Sequence, residues 1–196
     1  MVAALLEAPS IDPSSLIDDQ TLVAQTLAGR RESFGTLVER YDRAVYHLAY
    51  RTLRDQEEAR DAAQEAFFKA YRSLQTFKPG AKFSTWLFAI AYHGCCDRLS
   101  RRKRYSNDEL PERADPGAGP ESEAIANDEA RRLRAAIAEL PEKYRTVITL
   151  YHLQGRQYEE IAHVLGVPMG TVKTHLFRAK EQLRRILNEK TAESRP

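Results

Sequence analysis

Between Gln157 and Lys180 the chain carries two short helical-period segments separated by Gly166. Ile161, Ala162 and Leu165 share a face on the first; Val172, Leu176 and Ala179 share one on the second. Glycine reaches the left-handed conformation that ends a helix at little steric cost. The stretch therefore predicts a helix, a tight turn and a second helix, with its apolar residues locking the pair together. Lys173, Thr174, His175, Phe177, Arg178 and Lys180 are left on the outer side and ends of the second helix, where they can meet a DNA major groove. A solvated amphipathic helix has the same pattern, so the flanks must decide between these readings.

Charge distribution supplies the first such argument. The formal charge of the 196 residues is only +2. Residues 21–105 hold 16 Lys and Arg against nine Asp and Glu, and residues 131–190 hold 12 against six. Residues 106–130 reverse the sign, with eight acids and one Arg. Two basic modules joined by an acidic strap are a footprint of nucleic-acid binding. Cys95 and Cys96 are adjacent, so they offer no ordinary disulfide framework and fit a reducing cytosol as small packing residues. No run approaches the ~18 apolar residues of a membrane span, and Met1 to Leu6 lacks the pattern of an export signal. The expectation is a cytoplasmic protein without membrane insertion.

Periodicity predicts helices throughout and no strand of convincing length. Residues 1–19 form a lead-in around Pro9 and Pro13, and a short helix with Leu22, Val23 and Leu27 ends near Gly29. From Glu32 to Leu53, Phe34, Leu37, Val38, Tyr41, Val45, Leu48 and Ala49 keep one face. Asp55 is the expected N-cap of a helix running to about Gln75, with Ala59, Ala62, Ala63, Ala66, Phe67 and Ala70 inward. Lys78-Pro79-Gly80 breaks the chain, and Ser84 is expected to cap a helix that carries Trp86 in its core and ends in Arg98-Leu99-Ser100-Arg101-Arg102-Lys103-Arg104. Pro, Gly and acids with few large apolar groups mark 106–127 as a linker. A second module at 128–190 opens with Leu133, Ile137 and Leu140, restarts at Pro141 and is followed by a tail at 191–196. The fold class is thus all-α, two small helical domains (20–105 and 128–190) on a flexible acidic linker.

Two sets of residues resemble the bacterial RNA polymerase sigma factors of the extracytoplasmic-function type. Asp61-Ala62-Ala63-Gln64-Glu65-Ala66-Phe67-Phe68-Lys69-Ala70-Tyr71 followed by Phe83-Ser84-Thr85-Trp86-Leu87-Phe88-Ala89-Ile90-Ala91 is similar to that family's region 2. Leu140-Pro141-Glu142-Lys143-Tyr144-Arg145, Tyr158-Glu159-Glu160-Ile161-Ala162 and Gly170 to Ala179 are similar to its region 4. The resemblance implies that Asp61, Gln64, Glu65, Phe68, Lys69 and Arg72 dock on the clamp coiled coil of core RNA polymerase. It implies that Phe77, Lys78, Lys82, Tyr92, His93, Asp97, Arg98 and Arg101 serve minus-ten capture and melting, since separated strands offer base faces to aromatics and phosphates to cations. Many relatives read Arg-Asn where this chain has Tyr92-His93, so their preferred minus-ten sequence does not carry over.

Thr171, Lys173, Thr174, His175, Phe177, Arg178 and Lys180 would read the minus-thirty-five duplex, through phosphate more than base edges. The strap residues Asp108, Glu109, Glu112, Asp115, Glu121 and Glu123 would imitate a nucleic-acid backbone inside the polymerase or serve as a plain spacer. An anti-sigma partner that covers the DNA-facing surfaces is also implied.

A stand-alone helix-turn-helix regulator is the alternative, with the first module used for dimerisation or sensing. The basic Arg98 to Arg104 end argues against it, because a sensor domain would not need it. An enzyme is not expected. No phosphate loop, zinc-spaced His and Glu or nucleophile signature occurs, and no cofactor, metal or catalytic residue is assigned.

Overall fold

Helix ends in this chain are set by short polar signals, and the faces between them by burial. A computed structural model describes residues 17–105 and 128–193. Helix α1 (Asp19–Leu27) is capped by the Asp18 carboxylate, which accepts from the Thr21 N–H at 2.8 Å. Helix α2 (Arg31–Leu53) buries Leu37, Val45 and Leu48 completely, each such side chain gaining about 1.5–3 kcal/mol by leaving water. Arg54 ends it in the left-handed region at φ 59°. Helix α3 (Gln56–Arg72) starts at the expected cap, with the Asp55 carboxylate accepting from the N–H groups of Glu57 and Glu58 at 3.0 Å. Its buried stripe is nearly all alanine, which lets α2 and α4 approach closely.

Two expectations are corrected here. Helix α3 stops at Arg72, short of Gln75, and continues as a 3-10 turn over Leu74–Thr76 that drops Leu74 into the core. Helix α4 (Phe83–Tyr105) begins one residue before Ser84, so the first-turn N–H groups of Thr85 and Trp86 bond the Lys82 carbonyl instead of a serine cap. The Ser84 hydroxyl accepts a hydrogen bond from Arg156.

The second half contains α5 (Asp128–Glu139), α6 (Glu142–Ile148), α7 (Tyr158–Leu165) and α8 (Met169–Glu193). Between α6 and α7 the backbone widens into a π turn over Thr149–Leu153. Gly166 closes α7 at φ 66°, the left-handed residue that the spacing predicted. Among the described residues there are eight α-helices and no strand. The lead-in up to residue 16 and the strap at 106–127 lie outside the described residues.

The halves do not stand apart. Helix α7 packs along α4 and α6 packs against α2, and buried residues of both halves, from Leu22 to Ala179, belong to one apolar cluster. A smaller cluster of Ala49, Tyr50, Leu53, Ala59, Ala62 and Cys95 lies between α2, α3 and α4.

Replacing Asp55 by Ala removes the acceptor for two first-turn N–H groups. Chemical denaturation should then show about 1 kcal/mol less stability, with an unchanged m-value; equal stability would show that the cap contributes nothing.

Candidate nucleic-acid interface

Along α8, Val172, Leu176 and Ala179 are no more than 3% exposed and face α6 and α7. Burying that line forces the residues between outward. Lys173, Thr174, Arg178 and Lys180 are exposed, Phe177 is 64% exposed, and Thr171 and His175 are half-buried. The helix thus presents two long cations, a hydroxyl and an aromatic ring on one open surface, with Lys180 beside it. Thr174 donates to the Gly170 carbonyl at 2.9 Å, and the Lys180 ammonium lies 5.4 Å from the Tyr151 ring centre. His175 meets the Tyr144 ring edge-on, with centres 5.6 Å apart. Partial burial, then Lys143 and Arg178, holds its pKa below the ordinary value, so at neutral pH the imidazole can both donate and accept.

The second surface lies on α3. Asp61, Gln64, Glu65, Phe68, Lys69 and Arg72 are all exposed, opposite the alanine stripe. Phe68 is 61% exposed and carries the Arg72 guanidinium 5.6 Å from its ring centre. Glu65 accepts from Arg98 at 2.8 Å and lies 3.6 Å from Lys69. The Arg98 hydrogen bond chiefly holds its carboxyl below the usual range. Arg98, expected to serve minus-ten capture, is therefore tied to Glu65 on the exposed face of α3.

The third set is less uniform. Lys78, His93, Asp97 and Arg101 are exposed and Tyr92 is half-buried. Lys82 is exposed but ion-paired to Glu160 at 3.0 Å. Phe77 is turned inward at 7% exposure, packed on Phe83 and Trp86 with ring centres 5.9 and 5.4 Å away. Its ring offers no open stacking face. The Cys95 thiol is buried and pushed up to about 12, and burial also raises Cys96, so neither is a thiolate at neutral pH.

Sequence reading placed Arg145 and Glu160 within the region 4 resemblance but gave no sign that they, with Gln154 and Arg156, join the halves. The Gln157-to-Glu160 spacing was the available signal, because it forms the capping arrangement of α7. Among the described residues no three His, Cys, Asp or Glu side chains group as metal ligands, and no helix is long and apolar enough to cross a membrane.

Comparison with known proteins fits this geometry. Residues 37–105 match the family model for sigma-70 region 2, and residues 130–183 match that for sigma-70 region 4. Over 178 residues the chain is 34% identical to the ECF RNA polymerase sigma factor SigW of Bacillus subtilis, spanning 85% of this chain and 95% of that protein. The chain belongs to the ECF RNA polymerase sigma factors. It is also 36% identical to the ECF RNA polymerase sigma-E factor of Escherichia coli over 87% of its own length and 94% of the relative's. The structure of CnrH in complex with the cytosolic domain of CnrY superimposes with a TM-score of 0.65 at 26% identity, over 87% of this chain and 97% of that one. The sigma factor RpoE of Bartonella quintana, solved with the anti-sigma factor NepR, shares the fold with a TM-score of 0.69 at 22% identity, over 80% and 98%.

The histidines of this sigma factor give a pH prediction. Burial, then Lys180, lowers His152, and His175 is lowered as above, both from 6.5. Their folded values lie below their unfolded ones, so the unfolded chain binds more protons between the two. That stability is complete above pH 6.5 and is lost as the pH falls through the folded values. Thermal unfolding from about pH 8 to about pH 5 should show a falling Tm below neutrality, shallower in a His152→Gln, His175→Gln double variant. Equal slopes for both proteins would refute the assignment.

Proposed function

We propose that this sigma factor brings core RNA polymerase to its promoters by a division of labour between its halves. The reading rests chiefly on the open face of α8, where Lys173, Thr174, Phe177 and Arg178 stand clear over a buried apolar line. That face reads minus-thirty-five duplex, with cations on phosphates and guanine edges and Phe177 on a thymine methyl or sugar. The residue 20–105 half docks through Phe68 and its polar neighbours on the polymerase clamp. From the same half Lys78, Lys82, Tyr92, His93 and Arg101 engage the minus-ten strand and oppose its reclosure. The residue 106–127 linker then serves as tether.

The role asks no catalysis of the chain and no cofactor. It places the protein in the cytoplasm, where the polymerase works. An anti-sigma partner is part of this proposal; the Bartonella quintana sigma factor RpoE has been solved with the anti-sigma factor NepR, and CnrH with the cytosolic domain of CnrY.

Run-off transcription with core enzyme on promoters mapped in the native cell tests the reading. The chain should stimulate initiation over core alone. Phe68→Ala should weaken core association by more than about 1 kcal/mol while sparing α8. Arg178→Ala should leave core association intact and cost about 1–3 kcal/mol of promoter discrimination if it meets a base. If it meets phosphate, the salt slope should fall by about 1. No stimulation, together with tight DNA binding in the absence of core, would instead establish a stand-alone regulator.

A further inference from the structure

The halves meet along a polar seam centred on Glu160, the third residue of α7. Its carboxylate accepts from the Gln157 backbone N–H at 2.8 Å and from the Thr85 hydroxyl at 3.1 Å. It lies 3.0 Å from the Lys82 ammonium and 3.9 Å from the Arg156 guanidinium. Burial works to raise the pKa of Glu160, but the Gln157 N–H, Lys82 and Thr85 outweigh it and hold it below the ordinary value. Arg156 in turn donates to the Ser84 hydroxyl at 2.7 Å and lies 4.7 Å from the centre of the Phe88 ring. Further along, the Gln154 side-chain amide donates to the Ala44 carbonyl at 3.0 Å.

The π turn supplies the register for these contacts. The Gln154 N–H bonds the Thr149 carbonyl at 3.1 Å and the Arg156 N–H bonds the Leu150 carbonyl at 2.9 Å, each spanning more residues than an α-helical bond. The wider turn carries Gln154 and Arg156 to the first half.

We propose that Glu160, with Arg156 and Gln154, is an intramolecular latch that closes the free chain and withholds Lys82 from the separated promoter strand until the polymerase parts the halves. The proposal rests on the assignment of Lys82 to strand capture. A carboxylate on Lys82 takes the cation that a strand phosphate would use, so latch and strand compete for one charge. Three features suit a contact made to open. Lys82 is 62% exposed, which keeps its ion pair hydrated and sensitive to salt. Gln154 Oε1 and Arg156 Nε are buried without a hydrogen-bond partner, so closure itself leaves polar atoms unsatisfied. The α8 face stays exposed, so closure withholds the strand-binding charge and leaves the duplex reader open.

Binding of a fluorescein-labelled, mixed-sequence single-stranded oligonucleotide to the full chain tests this directly. If the closed form dominates, apparent affinity scales with the open fraction. Glu160→Gln keeps the shape of the α7 cap, and Thr85→Val removes one hydroxyl with no change in charge. Each should tighten strand binding, by about tenfold for Glu160→Gln. Glu159→Gln, the same charge change at the exposed neighbour, should not. Adding Lys82→Ala should abolish the gain. The latch is overturned if Thr85→Val and Glu160→Gln bind no tighter than the parent, or if Glu159→Gln matches Glu160→Gln. Run-off transcription by the parent chain reports on the underlying function separately, since it can succeed whether or not the latch exists.

Discussion

A buried guanidinium must find acceptors, and the second half is seated by that requirement at Arg145. This side chain is 5% exposed and donates to the carbonyls of Ala138 and Leu140 in its own half. It also donates to the carbonyl of Arg51, in the last turn of α2. The end of α2 carries unsatisfied carbonyls and the negative pole of the helix, so a cation is held there both by hydrogen bonds and by the dipole. Arg54, just past that end, reaches back to the Ala138 carbonyl. Hydrogen bonds to a charged donor contribute about 1.5–3 kcal/mol each, and removing one partner leaves a buried group unpaired. The junction is thereby fixed at one place on α2.

The remaining geometry follows from that anchor. With α6 seated against α2, the π turn sets the approach of α7 to α4, and α8 crosses over α6 and α7 with its basic side outward. The apolar line of Val172, Leu176 and Ala179 both holds the helix pair together and decides which residues face away. Core packing and the presentation of Lys173, Phe177 and Arg178 are two results of one constraint. On α3 the same logic holds: small residues inward draw the neighbouring helices close, leaving Phe68 standing on the outer face.

Local features were legible in the sequence, and the contacts between halves were not. Asp55, Gly166 and the buried faces of α2, α3 and α8 announce themselves through caps and periodicity that act within a few residues. Ser84 misled because a hydroxyl near a helix start suits a cap one register earlier as well as a tertiary acceptor, and Arg156 settles the matter from 72 residues away. Phe77 misled because an aromatic in a Pro-Gly loop has no period to show its direction; Phe83 and Trp86 turn it inward. A basic, charged composition with an acidic strap marks two modules on a linker and leaves open how they meet. What it could not show is that Arg145 bonds a carbonyl 94 positions earlier in the chain and Gln154 one 110 positions earlier. Periodicity tells which face is apolar and is silent about what covers it.

The central claim is that one continuous core, pinned by Arg145, unites the two halves of the free chain. Differential scanning calorimetry of the full protein tests it most directly. The account predicts a single cooperative transition whose van't Hoff and calorimetric enthalpies agree, splitting into two when Arg145→Met removes the guanidinium and keeps the bulk. Two independent transitions in the parent chain, unchanged by that substitution, would contradict it.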